Sequence, residues 1–529
     1  MRVTNKMIMN NASSNINTTK EFVNKRNTQM TSQKKIDKPS DDPVIAVRSL
    51  RLSTTLAQVT QYKEKNIPDA SQWISVTETA LINMRAIGND CKEIAVKGST
   101  DTVNSQDDRN TMLKELQQLQ KQLFAEGNAD YANRTVFTGY RTNCNLTFTE
   151  DEPGTTYNIT QEFTIEEHME EKRYYDCDLK IPTTEDELLA PAIKEGDPGY
   201  DPDVNKPISD MVQTDYYRIR LAYDKIENLE DEIHIKLNDD GTGMTPPSVV
   251  TYANESDWSK AQGGKNVPDG TIVVIKSTGD MVLANDVAAN LKKFDAKLKI
   301  TYSRAGFSEG ELRPEYYYNC VKTEDSLDVH VPVTYTKYIE DADGWNSERK
   351  HFDIEYTVAA SQTININTEA ADVFDSSIYR DVTEMIDAVE RTIAAYDKLD
   401  ALDDMATETQ FASDEDQEWI KTWRAAAQKE FDFYNNNMRK LFDEDIGRID
   451  KYYAKISLAI TDLGCKKQSL NLTETRVGDQ QQTVQSLQSL NDDIDLSQII
   501  IDYTAAYTAY QASLTAAGKL GDSTLLNYI

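Results

Sequence analysis

The chain is poor in the residues that organise metal, redox or disulfide chemistry: of 529 residues, five are cysteine and four histidine. Cys91, Cys144, Cys177, Cys320 and Cys465 stand at wide, irregular spacings with no CxxC pair. That pattern indicates neither a zinc site nor a disulfide framework. His168, His234, His330 and His351 are isolated, and no HExxH places two ligands on one helix face. Glycine (21) and proline (14) are scarce, which excludes collagen-like and low-complexity classes. No stretch approaches the roughly 20 consecutive apolar residues of a membrane span, and the first 30 residues lack a signal-peptide core. Lys and Arg number 57 against 89 Asp and Glu, a net charge of −32. Binding nucleic acid needs clustered cations to displace counterions, so neither nucleic acid nor membrane is an expected partner.

Partial motifs fail at a required position. Gly263-Gly264-Lys265 has the end of a phosphate loop, but Ser259 occupies the place of the earlier glycine. Asp341, Asp343 and Gly344 resemble part of a calcium loop, yet Ile339 stands where the first carboxylate belongs. Both read as turns, and the acidic middle reads as a solvated face. No catalytic, cofactor-binding or metal residue is assigned, and no enzymatic activity or cofactor is expected.

Hydrophobic residues make up 39% of the chain, enough for a core, and its length suggests about two to four units. Charge is uneven. Residues 1–66 carry twelve Lys or Arg against five acids, residues 466–529 four against seven, and the middle about −36. In the first 30 residues Ile8, Ala12, Ile16, Phe22, Val23 and Met30 fall near a helical stripe among Asn, Ser and Thr. Such a helix is too polar to stand alone. Asp42 as cap with Pro43 at the first position predicts a second helix through Leu52, Leu56, Val59 and Tyr62.

After Pro68 a third helix is predicted, with Trp73, Val76, Ala80, Met84, Ile87, Cys91 and Ile94 alternating by three and four and Gly98 closing it. Ser105 to Asp108 caps a fourth with Met112, Leu116, Leu119 and Leu123, and these two are expected to form an antiparallel hairpin. From 144 to 370, Thr, Tyr and Val in period-two runs such as Thr271–Ile275 and Val329–Val333 predict an inserted, mostly β region. Its expected features are linkers at Asp197–Asp203 and Asn238–Pro247, a helix from Tyr216 to Leu237, and two small domains.

Helices resume with Val382, Ile386, Val389, Ile393 and Tyr396, then with Met438, Phe442, Ile446, Ile449, Tyr453, Ile456, Ile460 and Leu463. A last helix, from about Asp495, carries Leu496, Ile499, Tyr503, Ala506, Tyr510 and Ala517, with Leu520, Leu525 and Leu526 following. The fold class expected is therefore α+β: long terminal helices forming an antiparallel coiled coil or bundle (1–143 and 371–529) around inserted β domains (144–370). The terminal stripes must meet to be buried. The seam residues expected at subunit contacts are Ile8, Ile16, Phe22, Leu496, Ile499, Tyr503, Ala506, Tyr510, Ala517 and Leu520.

Both ends also resemble the flagellin superfamily, and within it the hook-associated proteins of the hook–filament junction. At the amino end the resemblance rests on Met1-Arg2-Val3-Thr4, on Pro39-Ser40-Asp41-Asp42-Pro43 and on Val136–Asn143, which includes Phe137, Gly139 and Tyr140. At the carboxyl end it rests on Asp495-Leu496-Ser497, Tyr510–Leu514 and Leu525–Ile529. The resemblance implies a secreted structural subunit of the bacterial flagellum, exported unfolded through the type III channel without a cleavable signal. It implies partners too: the first hook-associated protein, flagellin, copies of itself in a ring, and a cytoplasmic chaperone on the carboxyl-terminal helices. A filament-forming flagellin and an adhesive module displayed on helices are the alternatives.

Overall fold

In the computed structural model, residues 5–100, 105–176, 179–192, 212–229, 233–237, 246–262, 267–324 and 332–522 are described. Helices α1 (Asn5–Ser32), α2 (Pro43–Gln61), α3 (Ile67–Ser99) and α4 (Gln106–Gln122) precede the β region; α5 (Ser377–Thr407), α6 (Asp414–Asp492) and α7 (Leu496–Asp522) follow it. The α+β class holds. The two expected linkers lie wholly or mostly outside the described residues, as do Gly263–Lys265, Cys177, His330 and Leu525–Ile529.

Local capping starts the helices where expected. The Asp42 carboxylate accepts the N–H groups of Val44 and Ile45, and Ser105 Oγ accepts that of Asp108. The expected break at Pro68 is absent. A π-helical turn, Tyr62–Asn66, joins α2 to α3, and Ile67 N–H reaches back to Tyr62 O. Proline has no N–H to give, and at the second residue of α3, just past the widened turn, it removes little.

The residues fall into two compact units: 1–71 with 355–364 and 466–529, and 72–354 with 365–465. In the first, α1 lies antiparallel to α7, and α2 runs antiparallel to the end of α6 through Ser49–Asp492, Ser53–Gln488 and Thr60–Gln481 hydrogen bonds. The residues after α1 pair with those before α7: Lys35 N–H donates to Asp492 O and Ile494 N–H to Gln33 O.

In the second unit the hairpin expected of α3 and α4 becomes two antiparallel pairings with later helices. Gln120, Gln117 and Gln106 of α4 bond to Thr383, Glu390 and Asp397 of α5. α3 faces α6, with Lys92 against Asp450. Gly98 does not close α3 but lies inside it, and a Cβ there would fall within the ring of Phe442, which is fully buried. Gly98→Ala is therefore expected to destabilise the chain by about 1–3 kcal/mol through overpacking, although alanine is the better helix former. Urea unfolding checks this, and Phe442→Leu should recover part of the loss.

Among the described residues the β region holds two larger sheets, besides two-stranded hairpins at 338–349 and 355–365. The strands of the larger sheets are β1 (Glu152–Thr164), β2 (Met169–Asp176), β3 (Val212–Arg220), β4 (Ile226–Leu229), β5 (His234–Lys236), β6 (Ser248–Tyr252), β7 (Thr271–Ile275), β8 (Asp280–Leu283), β9 (Lys297–Phe307), β10 (Asn319–Glu324) and β11 (Val333–Tyr335). One sheet runs β11-β10-β1-β9-β4, with β5 also on β9; the other runs β2-β3-β8-β7-β6, where only β6 and β7 are parallel. A single hydrophobic cluster containing Tyr157, Ile159, Ile219, Val273, Leu298 and Tyr302 draws on both. The helix expected from Tyr216 to Leu237 is instead β3, β4 and β5. Ile219 enters the core while Arg218 and Arg220 share the opposite face. Thr271–Ile275 is not half-exposed but buried at every position, as a strand covered on both faces must be.

Candidate assembly surface

α1 satisfies its own polar side chains: the hydroxyls of Thr18, Thr28 and Thr31 donate to carbonyls four residues back. Such bonds do not favour the helix, so its order must come from docking on α7. α7 starts where Asp495 accepts the N–H groups of Ser497 and Gln498. Arg26 lies 3.6 Å from Asp502, and Phe22 and Thr18 share a groove with Ala505, Ala506 and Ala509.

The expected seam is partly closed within the chain. Ile499 (0% exposed) and Ala506 (5%) are buried. Ile16, Tyr503, Tyr510 and Ala517 are half-buried, while Ile8, Phe22 (49%) and Leu496 (46%) stay exposed. Leu520 lies in α7. Sequence reasoning missed a second apolar row on α7, formed by Ile500, Ile501, Ala505, Ala509 and Ala512. Three successive isoleucines held its signal, since residues about 100° apart on a helix cannot share one seam.

The quoted family motifs do structural work. Asp41 accepts the N–H groups of Lys38 and Asp37, which hold its carboxyl below the ordinary range. Its neighbours Pro39 and Ser40 form the turn ahead of Asp42 and Pro43. Phe137 is buried edge-on against Phe374 at 4.9 Å, and its carbonyl accepts Ala370 N–H. Gly139 takes φ +62°, and Tyr140 packs on Phe352 and donates its hydroxyl to Asp353 O at 2.8 Å. These residues join segment 136–144 to Phe352, Asp353, Ala370 and Phe374, with Tyr140 still 64% exposed.

One trio of potential metal ligands comes together among the described residues, His351, Glu369 and Asp372. Its carboxylates are already engaged: Glu369 with Lys337 and with Phe352 N–H, Asp372 with Arg349. A dication would have to displace two protein cations. Asp341 accepts the N–H groups of Asp343 and Trp345, and Gly344 takes φ +81°, so this segment forms a hairpin turn.

A buried ion network ties β2 and β3 to α5 and α6. Arg218 reaches Glu170 (2.8 Å) and Glu384 (2.9 Å), Arg220 reaches Glu384 (2.9 Å) and Asp381, and Arg448 reaches Asp381, Asp445 and Glu170. The cations hold Glu384 well below the usual carboxylate range despite its burial. Asp445 goes the other way: burial, then Asp381, push it up to about 8 against the pull of Arg448. Its folded form thus keeps a proton that the unfolded chain releases near pH 3.8, so its contribution to stability falls as pH rises through that window. Asp445→Asn is expected to gain on the wild type in melting temperature from pH 5 to pH 8.5. A constant difference across that range would refute the assignment.

Residues 3–142 match the family of the bacterial flagellin N-terminal helical region. Over 143 residues the chain is 31% identical to flagellar hook-associated protein 3 of Salmonella typhimurium, spanning 27% of this chain and 44% of that protein. Over 115 residues it is 34% identical to flagellar hook-associated protein 3 of Escherichia coli, spanning 22% and 36%. The chain thus spans less than half the length of the curated relatives it matches. A putative flagellar hook-associated protein from Vibrio parahaemolyticus aligns over 85% of this chain and 99% of its own, at 12% identity and a TM-score of 0.32, too low to carry an argument. The family match covers the amino-terminal segment of this chain, residues 3–142.

Proposed function

We propose that this chain is a non-enzymatic structural subunit of the bacterial flagellum, joining the hook-associated region to the flagellin filament. The observation that carries the reading is the antiparallel pair of α1 and α7, the two ends of the described chain. One of its helices belongs to a flagellin-type segment, and the pair leaves apolar residues exposed along its length. A helix pair this apolar on its free faces is completed by neighbours. The neighbours proposed are copies of the same chain in a ring, the first hook-associated protein on one side and flagellin on the other. Ile8, Phe22 and Leu496 would contribute to those contacts, and Ile16, Ile499, Tyr503, Ala506, Tyr510 and Ala517 would hold the pair in register.

In this reading 1–143 and 371–529 form the helical part and 144–370 the outer part. The chain travels unfolded through the flagellar export channel to the extracellular structure, with a chaperone on its carboxyl-terminal helices beforehand. A strain lacking the gene is expected to make hooks without filaments and to lose flagellin to the medium. Hooks bearing normal filaments would overturn the proposal, as would growth of long filaments by the purified protein alone.

A further inference from the structure

Lys337 stands between β11 and the hairpin at 338–349. Its side chain is 7% exposed and meets the carboxylate of Glu369, itself 6% exposed. The ammonium donates to Glu369 Oε2. Phe352 N–H donates to the other oxygen, Oε1, at 2.5 Å, and the Phe352 ring centroid lies 5.4 Å from Lys337 Nζ. Both backbones are held in place. Lys337 N–H donates to Asn319 Oδ1 at 2.7 Å, the Lys337 carbonyl accepts Lys350 N–H at 2.8 Å, and the Glu369 carbonyl accepts Asp372 N–H at 3.0 Å. One ring nitrogen of the exposed His351 and one oxygen each of Glu369 and Asp372 lie within 4.8 Å of one another. Asp372 is also paired with Arg349 and is 41% exposed, so this side of the pair opens to solvent.

An ammonium and a carboxylate this deeply buried lose most of their hydration, which favours the neutral amine and acid over the charged pair. Burial, with Arg349 nearby, holds the Lys337 ammonium below its ordinary range against the pull of Glu369. A neutral amine is a nucleophile, and its contact here is a carboxyl group. Reacting groups held in place act at effective concentrations of about 10⁵–10⁸ M. That offsets the unfavourable condensation of a free amine with a free acid in water. Phe352 N–H is already bonded to the oxygen on which negative charge develops during attack, as an oxyanion donor must be.

We propose that Lys337 and Glu369 join in an intramolecular isopeptide bond. The ammonium passes one proton to the carboxylate, and the freed Nζ attacks Cδ, forming the C–N bond while Oε1 takes up charge against the Phe352 N–H. Nζ then gives up a second proton, which His351 carries through one water to Oε2. The Cδ–Oε2 bond breaks, Oε2 leaves as water through the open side, and the third proton stays on the amide nitrogen. Nothing is oxidised or reduced. The product closes residues 337–369, which include both two-stranded hairpins, into a covalent loop. This bond is independent of the flagellar reading.

Mass spectrometry of the full chain, folded and then denatured, tests it. Expected is an intact mass one water below that of the sequence. A tryptic digest should yield a branched peptide joining 323–349 to 351–380, with no cleavage after Lys337. Lys337→Arg and Glu369→Ala should each show the full mass of their own sequence. The wild-type measurement stands even where such a variant fails to fold. His351 is exposed, so His351→Ala tests proton transfer with little effect on folding. It should slow bond formation at least about tenfold in a time course after cell-free synthesis, and added imidazole should restore the rate. A wild-type chain of full sequence mass, which would mean a plain ion pair, overturns the proposal. So does a water lost at another site, or the same deficit in Lys337→Arg. An equal rate in His351→Ala overturns the part given to His351.

Discussion

Tyr503→Pro is expected to abolish incorporation of the chain into the flagellum. Tyr503 sits within α7, stacked on Tyr507 with ring centroids 6.1 Å apart, and is half-buried. Proline there removes a helical hydrogen bond and drives its ring into the preceding turn, a cost of about 3 kcal/mol or more. It also cuts a 27-residue helix near its start, leaving an amino-terminal piece well below the roughly 12–15 residues that are already marginal alone. α1 is too polar to hold its place without α7, so both terminal helices fail together. Tyr503→Ala keeps the helix, loses only packing, and should incorporate at a reduced level. The measurement is the fraction of hooks that carry filaments in a complemented deletion strain. Wild-type filament numbers with Tyr503→Pro would count against the terminal helices as the assembly element.

Features written in a few adjacent residues were legible in the sequence. The start of α2 follows from Asp42 and Pro43, that of α4 from Ser105, and that of α7 from Asp495, because a cap is a contact across two or three residues. The stripes Trp73–Ile94 and Met438–Leu463 were readable as core because helical periodicity repeats locally. Strand pairing does not. Tyr216–Leu237 looked helical when read alone, yet Tyr217 and Ile219 are set opposite Leu283 and Met281, more than 60 positions away. Gly98 looked like a helix end because the ring that requires it, Phe442, belongs to a helix 344 residues further on. Of the candidate seam, Ile499 and Ala506 are buried within the chain itself. The second apolar row on α7 was not, since the search followed one stripe. The arginines of β3 carried no readable signal, because charge spacing does not reveal which carboxylates a sheet will face.

Asp381→Ala is expected to produce the largest loss in folding stability, about 3–5 kcal/mol, the usual cost of breaking a buried charge cluster by removing one partner. The Asp381 side chain is 2% exposed. It accepts from Arg220, from Arg448 Nη1 at 3.2 Å and from the Tyr452 hydroxyl at 2.6 Å. Alanine leaves two largely buried guanidinium groups short of a counter-charge and a buried phenol without its acceptor. Part of the loss returns through Asp445, which ionises more readily once its negative neighbour is gone, so Asp381→Ala and Asp445→Asn should be non-additive. Urea unfolding with an unchanged slope is the measurement, and a loss below about 1 kcal/mol would mean that water screens the cluster as it does surface pairs. The two variants also separate the roles assigned to the two units. Tyr503 belongs to the unit of the chain ends and Asp381 to the unit of the sheets. Tyr503→Pro should stop incorporation while leaving the main unfolding transition in place, and Asp381→Ala should lower that transition while α1 and α7 still pair. If Asp381→Ala stopped incorporation at a temperature where its second unit is still folded, the terminal pair would not be sufficient for assembly, and the sheets would have to carry contacts of their own.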